Sequence, residues 1–160
     1  MSAPTVTAGV IPPAAFLAHW QGHRRLTRRV IAAFPADEFE SLSIGGMRPF
    51  SVLAAELLGM AVSTAHGVLT NEWKSFSDSK LTSQTDILAA WDESTAQLDE
   101  IVPKIPITRY AETMTAFGQW TMTGYDLLLY IVDNEIHHRG QGYVYLRALG
   151  IEPPAFYDRS

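Results

Sequence analysis

The end of the chain carries a long helical pattern with an abrupt stop, and this feature limits the folds open to the chain. From Leu127 to Leu149, apolar and polar residues three or four positions apart share one helical face. Gly150 and the pair Pro153-Pro154 then forbid continuation. A helix of about 26 residues spans roughly 39 Å at 1.5 Å per residue. The sequence therefore predicts one long, clearly terminated helix against which the other elements must pack.

Three further helical patterns precede it. They run from Ala14 to Phe34, from Pro49 or Ser51 to about Asn71, and over about 84–102. Ser83 and Thr123, each followed three positions later by an aspartate, resemble capping boxes before the third and the last helix. Residues 103–120 are rich in threonine and aromatic residues, and the pattern leaves open whether they are extended or irregular. With no convincing alternating strand, the sequence predicts an all-α fold, an up-and-down four-helix bundle with a long connection.

The length of 160 residues suits a single domain with a substantial core. We expect residues 14–160 to form that domain and residues 1–13, which are Pro-, Ala- and Thr-rich, to form a flexible arm. The first residues lack the basic region and apolar run of a signal peptide. No window approaches the ~20 apolar residues of a membrane span. These observations predict a cytoplasmic protein that makes no contact with membranes.

Composition excludes several kinds of chemistry. The chain has no cysteine, so disulfides, thiolate catalysis and zinc–sulfur sites are excluded and a metal would need nitrogen or oxygen ligands. The net charge of −5 argues against a nucleic-acid partner, because such binding needs a lysine- and arginine-rich surface. One basic cluster lies on the first helix and is interpreted as a solvent-exposed face: Arg24, Arg25, Arg28 and Arg29.

Polar side chains interrupt the inward face of the last helix at its centre. Asn134, His138 and Gln141 occupy successive turns between Ile131 and Tyr145. An unpaired buried polar group costs roughly 1–3 kcal/mol, so these side chains need partners. A functional pocket and a structural hydrogen-bond network would each supply them, and the pattern alone does not separate the two.

The other helices offer candidate partners for His138. His23 lies at the centre of the apolar stripe of the first helix, with His19 four residues earlier, a spacing compatible with a metal. An inward histidine is more often a hydrogen-bonded core residue, which is the first interpretation of His23. The second helix offers Met60 and, at its margin, Glu56. Histidine titrates near neutral pH, so acid–base chemistry is a further option.

These residues resemble the DinB/YfiT-like superfamily, a family of damage-inducible four-helix-bundle proteins regarded as metalloenzymes. The resemblance spans about Phe16 to Pro154. It is carried by the Phe34-Pro35 end of the first helix, the Ser-x-x-x-x-Glu-Leu-Leu start of the second and the closing NEIHHRGQGYVYLRALGIEPP. Members of that family typically hold nickel or zinc through three histidines, one in a Leu-Leu-x-His context and two in His-x-x-x-His.

Carried onto this chain, the three ligand positions of the family fall on Met60, Asn134 and His138. Thioether sulfur and amide oxygen are poor ligands for nickel and zinc, so the resemblance implies a degenerate site. We expect the site to be either metal-free or occupied by another small molecule, in a central pocket lined by His23, Met60, Asn134 and Gln141. The alternative is weakly bound nickel or zinc at His138, with His23, Glu56 or Gln141 completing the ligand set.

Three functions follow from these expectations. The first is a stress- or DNA-damage-associated binding or scaffold protein whose metal site has decayed. The second is a divalent-metal-dependent hydrolase or thiol S-transferase, as the resemblance implies, so whether the chain is an enzyme stays open. The third is a structural module with a closed polar core and no cavity. The resemblance also implies a homodimer.

Overall fold

The computed structural model describes residues 11–74 and 80–160 of the chain. The helices and strands, in chain order, are α1 (Pro13–Ala33), α2 (Ala36–Ser41), α3 (Phe50–Thr70), α4 (Gln84–Ile101), a 3-10 turn (Val102–Lys104), α5 (Ile107–Ala111), β1 (Thr113–Ala116), β2 (Trp120–Thr123) and α6 (Gly124–Ala148). The predicted mostly helical fold is confirmed. Residues 1–10 of the predicted arm lie outside the described residues, and Pro13, its last residue, already belongs to α1.

Local sequence signals explain where the long helices begin and end. The hydroxyl of Ser83 accepts a hydrogen bond from the backbone N–H of Asp86 at 3.1 Å, and Thr123 does the same for Asp126 at 3.1 Å. Asn71 ends α3 in a left-handed conformation with φ 61°. Gly150, with φ 74°, follows the end of α6 and is the residue type best suited to that conformation. The predicted helix starts and the predicted stop are therefore confirmed. The capping boxes are confirmed in their N-cap half, because each aspartate carboxylate accepts from the cap hydroxyl instead of the cap backbone N–H.

The four long helices pack in the ring order α1, α4, α3, α6, so each contacts two others. One group of buried side chains surrounds Trp20, Leu98 and Leu128, and a second surrounds Phe50 and Trp91. Helix α6 buries two faces, one against α1 and one against α3. Gly142 makes this close approach feasible, because a Cβ there would lie 2.7 Å from the ring of Phe50.

The predicted all-α fold needs a correction, because two short strands lie in and just after the segment that the sequence leaves open as extended or irregular. β1 and β2 form an antiparallel hairpin in which Thr113 pairs with Thr123 and Ala116 with Trp120. Its turn is made by Phe117 and Gly118, whose φ values of 52° and 69° suit a mirror-image turn that matches the twist of the strands. Only one of these two positions is a glycine, so the turn signal in the sequence is weak.

The interpretation of the arginine cluster as a solvent-exposed face is wrong for Arg24. Its guanidinium is buried between α1 and α4, donates to the Ser94 hydroxyl at 2.6 Å and to the Thr95 hydroxyl at 2.9 Å, and lies 4.2 Å from the ring centroid of Trp91. Burial lowers the pKa of Arg24 to about 10. The charge is tolerated inside because hydroxyl, carbonyl and aromatic groups replace water around it.

The prediction that no segment reaches the length and hydropathy of a membrane span needs a correction. By length and composition alone, the 21 residues of Phe50–Thr70 meet both conditions, with a mean hydropathy of 1.5 in the best window. The core helix of a bundle meets the same conditions, and this helix packs against α2, α4 and α6.

Candidate functional site

The polar centre of the bundle is built around the carboxylate of Glu56, on the side of α3 that faces α6. Its Oε1 atom lies 3.1 Å from His138 Nε2 and 3.4 Å from Asn134 Nδ2. Asn134 Nδ2 also lies 3.4 Å from the sulfur of Met60, one turn beyond Glu56 on α3. The three positions to which the resemblance pointed therefore lie side by side, with a carboxylate between them.

His138 is held on both sides of its ring. Nδ1 lies 2.8 Å from Oε1 of Gln141, one turn further along α6, while Nε2 lies against Glu56. Both ring nitrogens are engaged, so His138 has no free lone pair directed at a ligand. The structure thus brings together Met60, Asn134, His138 and Gln141, and Glu56 contacts two of them, Asn134 and His138.

Arg48 completes the cluster from the loop before α3. Its Nη1 lies 2.7 Å from Glu56 Oε2, with 51% of the Arg48 side chain and 32% of the Glu56 side chain exposed. Burial would raise the pKa of Glu56, but the interactions with Arg48 and His138 outweigh it and the pKa lies below its ordinary value. The carboxylate is therefore ionised at neutral pH and paired with a cation at the surface.

A cavity of about 560 Å³ opens beside this ion pair, between α3, α6, the hairpin and the segment before α4. Its volume falls within the roughly 300–1,000 Å³ typical of small-molecule sites. Its wall is mainly apolar and includes aromatic rings at the hairpin and on α6. The lining residues used below are Arg48, Val52, Glu56, Met60, Phe117, Trp120 and Tyr130.

The rim of the cavity exposes large apolar side chains. Val52 is 40% exposed, Trp120 46% and Tyr130 54%. A group of apolar residues exposed around a concave opening is typical of a binding site rather than of ordinary surface. The hairpin is positioned by Trp73, whose ring lies 5.1 Å from that of Phe117 and covers Gly67 of α3, where a Cβ would come within 2.2 Å of the indole.

Of the four residues predicted to line the pocket, Met60 lines the cavity, whereas the other three, His23, Asn134 and Gln141, do not. Asn134 and Gln141 lie in the cluster beside the cavity, and His23 lies away from it. His23 is buried between α1 and the other face of α6, with Nδ1 at 2.9 Å from Arg139 Nη2 and Nε2 at 3.1 Å from His19 Nε2. Burial and the positive charges of Arg139 and Arg159 lower the pKa of His23 to about 3. The interpretation of His23 as a hydrogen-bonded core residue agrees with this geometry.

A second buried polar network accompanies His23, and the sequence reading missed it. Glu135 accepts a hydrogen bond from the Thr27 hydroxyl at 2.6 Å, and Arg139 donates to the same hydroxyl at 3.1 Å. Burial raises the pKa of Glu135 against the opposing effects of Arg24, Thr27 and Arg139. The sequence does contain a signal for this network. Leu128, Val132 and Leu146 form an apolar stripe on α6, and Glu135 and Arg139 occupy positions within the same stripe at helical spacing.

The donor set beside the cavity does not suit nickel or zinc. In the described part of the chain, no three His, Cys, Asp or Glu residues are arranged to hold a metal ion. The cluster offers one imidazole, one carboxylate already paired with Arg48, one thioether and two amides. Tight sites for these metals normally use three or four imidazole, thiolate or carboxylate ligands.

Fold and site together define a helical-bundle protein with a paired carboxylate between two long helices beside an apolar cavity. The sequence model of the DinB family matches residues 1–160, and the chain belongs to that family. The resemblance inferred from the closing helix is thereby confirmed.

Relatives within the family agree in fold. The uncharacterised protein YjoA of Bacillus subtilis is 26% identical over 152 residues, covering 89% of this chain and 94% of YjoA. A DinB-like protein from Bacillus cereus superposes with a TM-score of 0.74 at 18% identity, covering 90% of this chain and 97% of its own. The solved structure of YjoA gives a TM-score of 0.69 at 19% identity, with 89% and 96% of the two chains covered. At these identities the solved structures establish the fold alone.

Proposed function

We propose that this DinB-family protein binds a small apolar molecule without the help of a metal ion. One observation carries the proposal: Glu56 and Arg48 form an ion pair at the wall of a cavity of about 560 Å³. A metal of the family type would need the His138 ring, whose two nitrogens already face Glu56 and Gln141. The cavity, in turn, argues against a closed polar core with a purely structural role.

The proposal takes the bundle to be of the up-and-down kind, with the long α1–α3 and α4–α6 connections crossing its ends. The ring order of helix contacts supports this arrangement. The connections matter for the function, because the α4–α6 connection contains the hairpin that forms one wall of the cavity.

Metal content tests the first half of the proposal. Protein purified without a histidine tag, incubated with nickel or zinc and then desalted, should retain less than about a tenth of an equivalent of either metal. The positive control is the double variant Met60→His, Asn134→His, which restores three imidazoles around Glu56 and should retain about one equivalent. Stoichiometric metal in the wild-type protein would overturn the proposal.

Binding of a neutral apolar dye tests the second half. N-phenyl-1-naphthylamine should bind saturably, and Val52→Trp should weaken its affinity at least about tenfold by filling the mouth of the cavity. Ile107→Trp is the matched control, since Ile107 is an exposed apolar helix residue that does not line the cavity. Equal dye affinity in both variants would show that the dye binds elsewhere and would contradict the proposal.

A further inference from the structure

Beside Glu56, the hydrogen-bonding capacity that remains at the cavity wall consists mainly of the N–H donors of Arg48. Glu56 Oε1 faces both His138 Nε2 and Asn134 Nδ2, and Oε2 faces Arg48. A carboxylate oxygen accepts about two hydrogen bonds, so His138 and Asn134 together fill Oε1, while Oε2 keeps room for one more beside Arg48. A ligand that offers only donors therefore finds little acceptor capacity at this carboxylate.

Arg48 has the opposite property. A guanidinium carries five N–H donors in a planar fork, and the ion pair with Glu56 is made through Nη1. Half of the Arg48 side chain is exposed at the cavity wall, where solvent or a ligand reaches it. Such a fork matches two oxygens of a carboxylate, and these charge-assisted bonds are among the stronger hydrogen bonds in proteins.

The rest of the cavity wall is mainly apolar and favours a ligand with an apolar ring system. Phe117, Trp120 and Tyr130 give the wall aromatic surface, and Val52 and Met60 add aliphatic surface. Arg48 and Glu56 compensate each other's charge, so the preference for an anion comes from the unused N–H donors of Arg48 rather than from a net charge at the cavity wall. The chain's net charge of −5 opposes an anion only at long range, where salt screens it beyond about 8 Å.

We infer that the ligand is an apolar, preferably aromatic, molecule with one carboxylate, and that Arg48 binds this carboxylate at the cavity mouth. The inference rests on the proposed function, since it names the class of molecule that the same cavity takes. It adds a residue that determines specificity, because Arg48 distinguishes an anion from a neutral molecule of the same shape.

Titration calorimetry with a matched pair of probes tests the inference. Naphthalene-2-carboxylate and naphthalene-2-carboxamide have the same ring system and differ in charge. Wild-type protein should bind the carboxylate about tenfold or more tightly than the carboxamide. Arg48→Gln should bring the two affinities within about twofold, Arg48→Lys should keep part of the preference, and the control Arg147→Gln, on the exposed side of α6, should keep all of it.

The possible failures are distinguishable. Equal affinity of wild-type protein for the two probes, or a preference that survives Arg48→Gln, would overturn the inference while cavity binding stands. Failure of both probes and of the neutral dye to bind would overturn the proposed function and the inference with it. Circular dichroism of Arg48→Gln checks the fold, which the change at a half-exposed loop residue should leave intact.

Discussion

Glu56 is the residue of α3 that partners His138 and Asn134 of α6. It supplies the only charged acceptor within reach of His138 Nε2 and Asn134 Nδ2 among the described residues. Because α3 places it at the margin of its buried face, the carboxylate contacts Arg48 at the surface and His138 inside at the same time. Removal of this side chain affects both the interior hydrogen bonds and the cavity mouth.

We predict that Glu56→Ala lowers the free energy of unfolding by about 1–3 kcal/mol, because the His138 and Asn134 donors lose their partner. Urea denaturation at neutral pH measures the loss. The control is Glu100→Ala, which removes an exposed carboxylate from α4 and should change the free energy by less than about 0.5 kcal/mol. A loss no larger for Glu56→Ala than for the control would contradict the central role of Glu56.

His23 gives a prediction about pH. Its pKa falls from 6.5 in the unfolded chain to about 3 in the fold, so below pH 6.5 the unfolded chain binds the proton more readily. Stability is therefore lost as the pH falls through this range, by at most about 1.4 kcal/mol per pH unit. The free energy of unfolding of His23→Gln should depend less on pH than that of the wild-type protein between pH 7 and 5.5, where few carboxylates titrate.

The matched variant for this measurement is His137→Gln, which changes an exposed histidine on the same helix as Arg139. It should retain the pH dependence of the wild-type free energy of unfolding. If His23→Gln and the wild-type protein lose stability in parallel as the pH is lowered, the acid sensitivity has another source.

At the scale of elements, α6 determines how closely the helices approach. Its two central glycines differ in surroundings although they are two residues apart. At Gly142 a Cβ would lie 2.7 Å from the ring of Phe50 and 3.1 Å from Val30, and both neighbours are fully buried. At Gly140 a Cβ would meet nothing within 4 Å. One glycine serves packing, whereas the other only lowers helix propensity.

We predict opposite effects of alanine at these two positions. Gly140→Ala should stabilise the protein by up to about 1 kcal/mol through helix propensity alone. Gly142→Ala gains the same helix propensity but forces the Phe50 ring and the packed helices apart. It should lower the free energy of unfolding by a net of about 1–3 kcal/mol. Thermal unfolding of the two variants compares them directly. Stabilisation by both substitutions would mean that α6 is not closely packed at Gly142.

The sequence predicts the long elements well because their signals are local. Ser83, Thr123 and Gly150 each satisfy a backbone requirement that a single residue type reveals. The sequence does not decide the hairpin, because its pairing joins residues across a turn in which Phe117 takes an unusual positive φ. Short helices such as α5, five residues between Pro106 and Glu112, carry too few residues to show a period.

At the scale of the whole molecule, the candidate site is less predictable than the fold. Helical periodicity places Met60, Asn134 and His138 on inward faces, and the structure brings them together. The partner of Asn134 and His138 is Glu56 and not His23 because this face of α6 packs against α3, whereas the opposite face packs against α1. This pairing is a property of the packed ring of helices, which no single helical pattern contains.

The expected homodimer is also a property of the whole molecule. Sedimentation equilibrium at micromolar concentration should give a mass about twice the 17.7 kDa of one chain. The exposed apolar side chains of α6 are candidates for the contact, so Val144→Asp should favour the monomer. Ile107→Asp, at a similarly exposed apolar residue of α5, is the control. A monomer mass for the wild-type protein would contradict the expectation.

The position of α6 in the chain has a consequence for synthesis on the ribosome. It is the last of the four long helices, yet both buried polar networks, around Glu56 and around Glu135, are complete only when α6 is present. While α1, α3 and α4 emerge first, their apolar faces and the carboxylate of Glu56 lack their partner helix. Nascent chains that stall before residue 139 should therefore be aggregation-prone and should engage chaperones, and the bundle should close only after translation has passed that point.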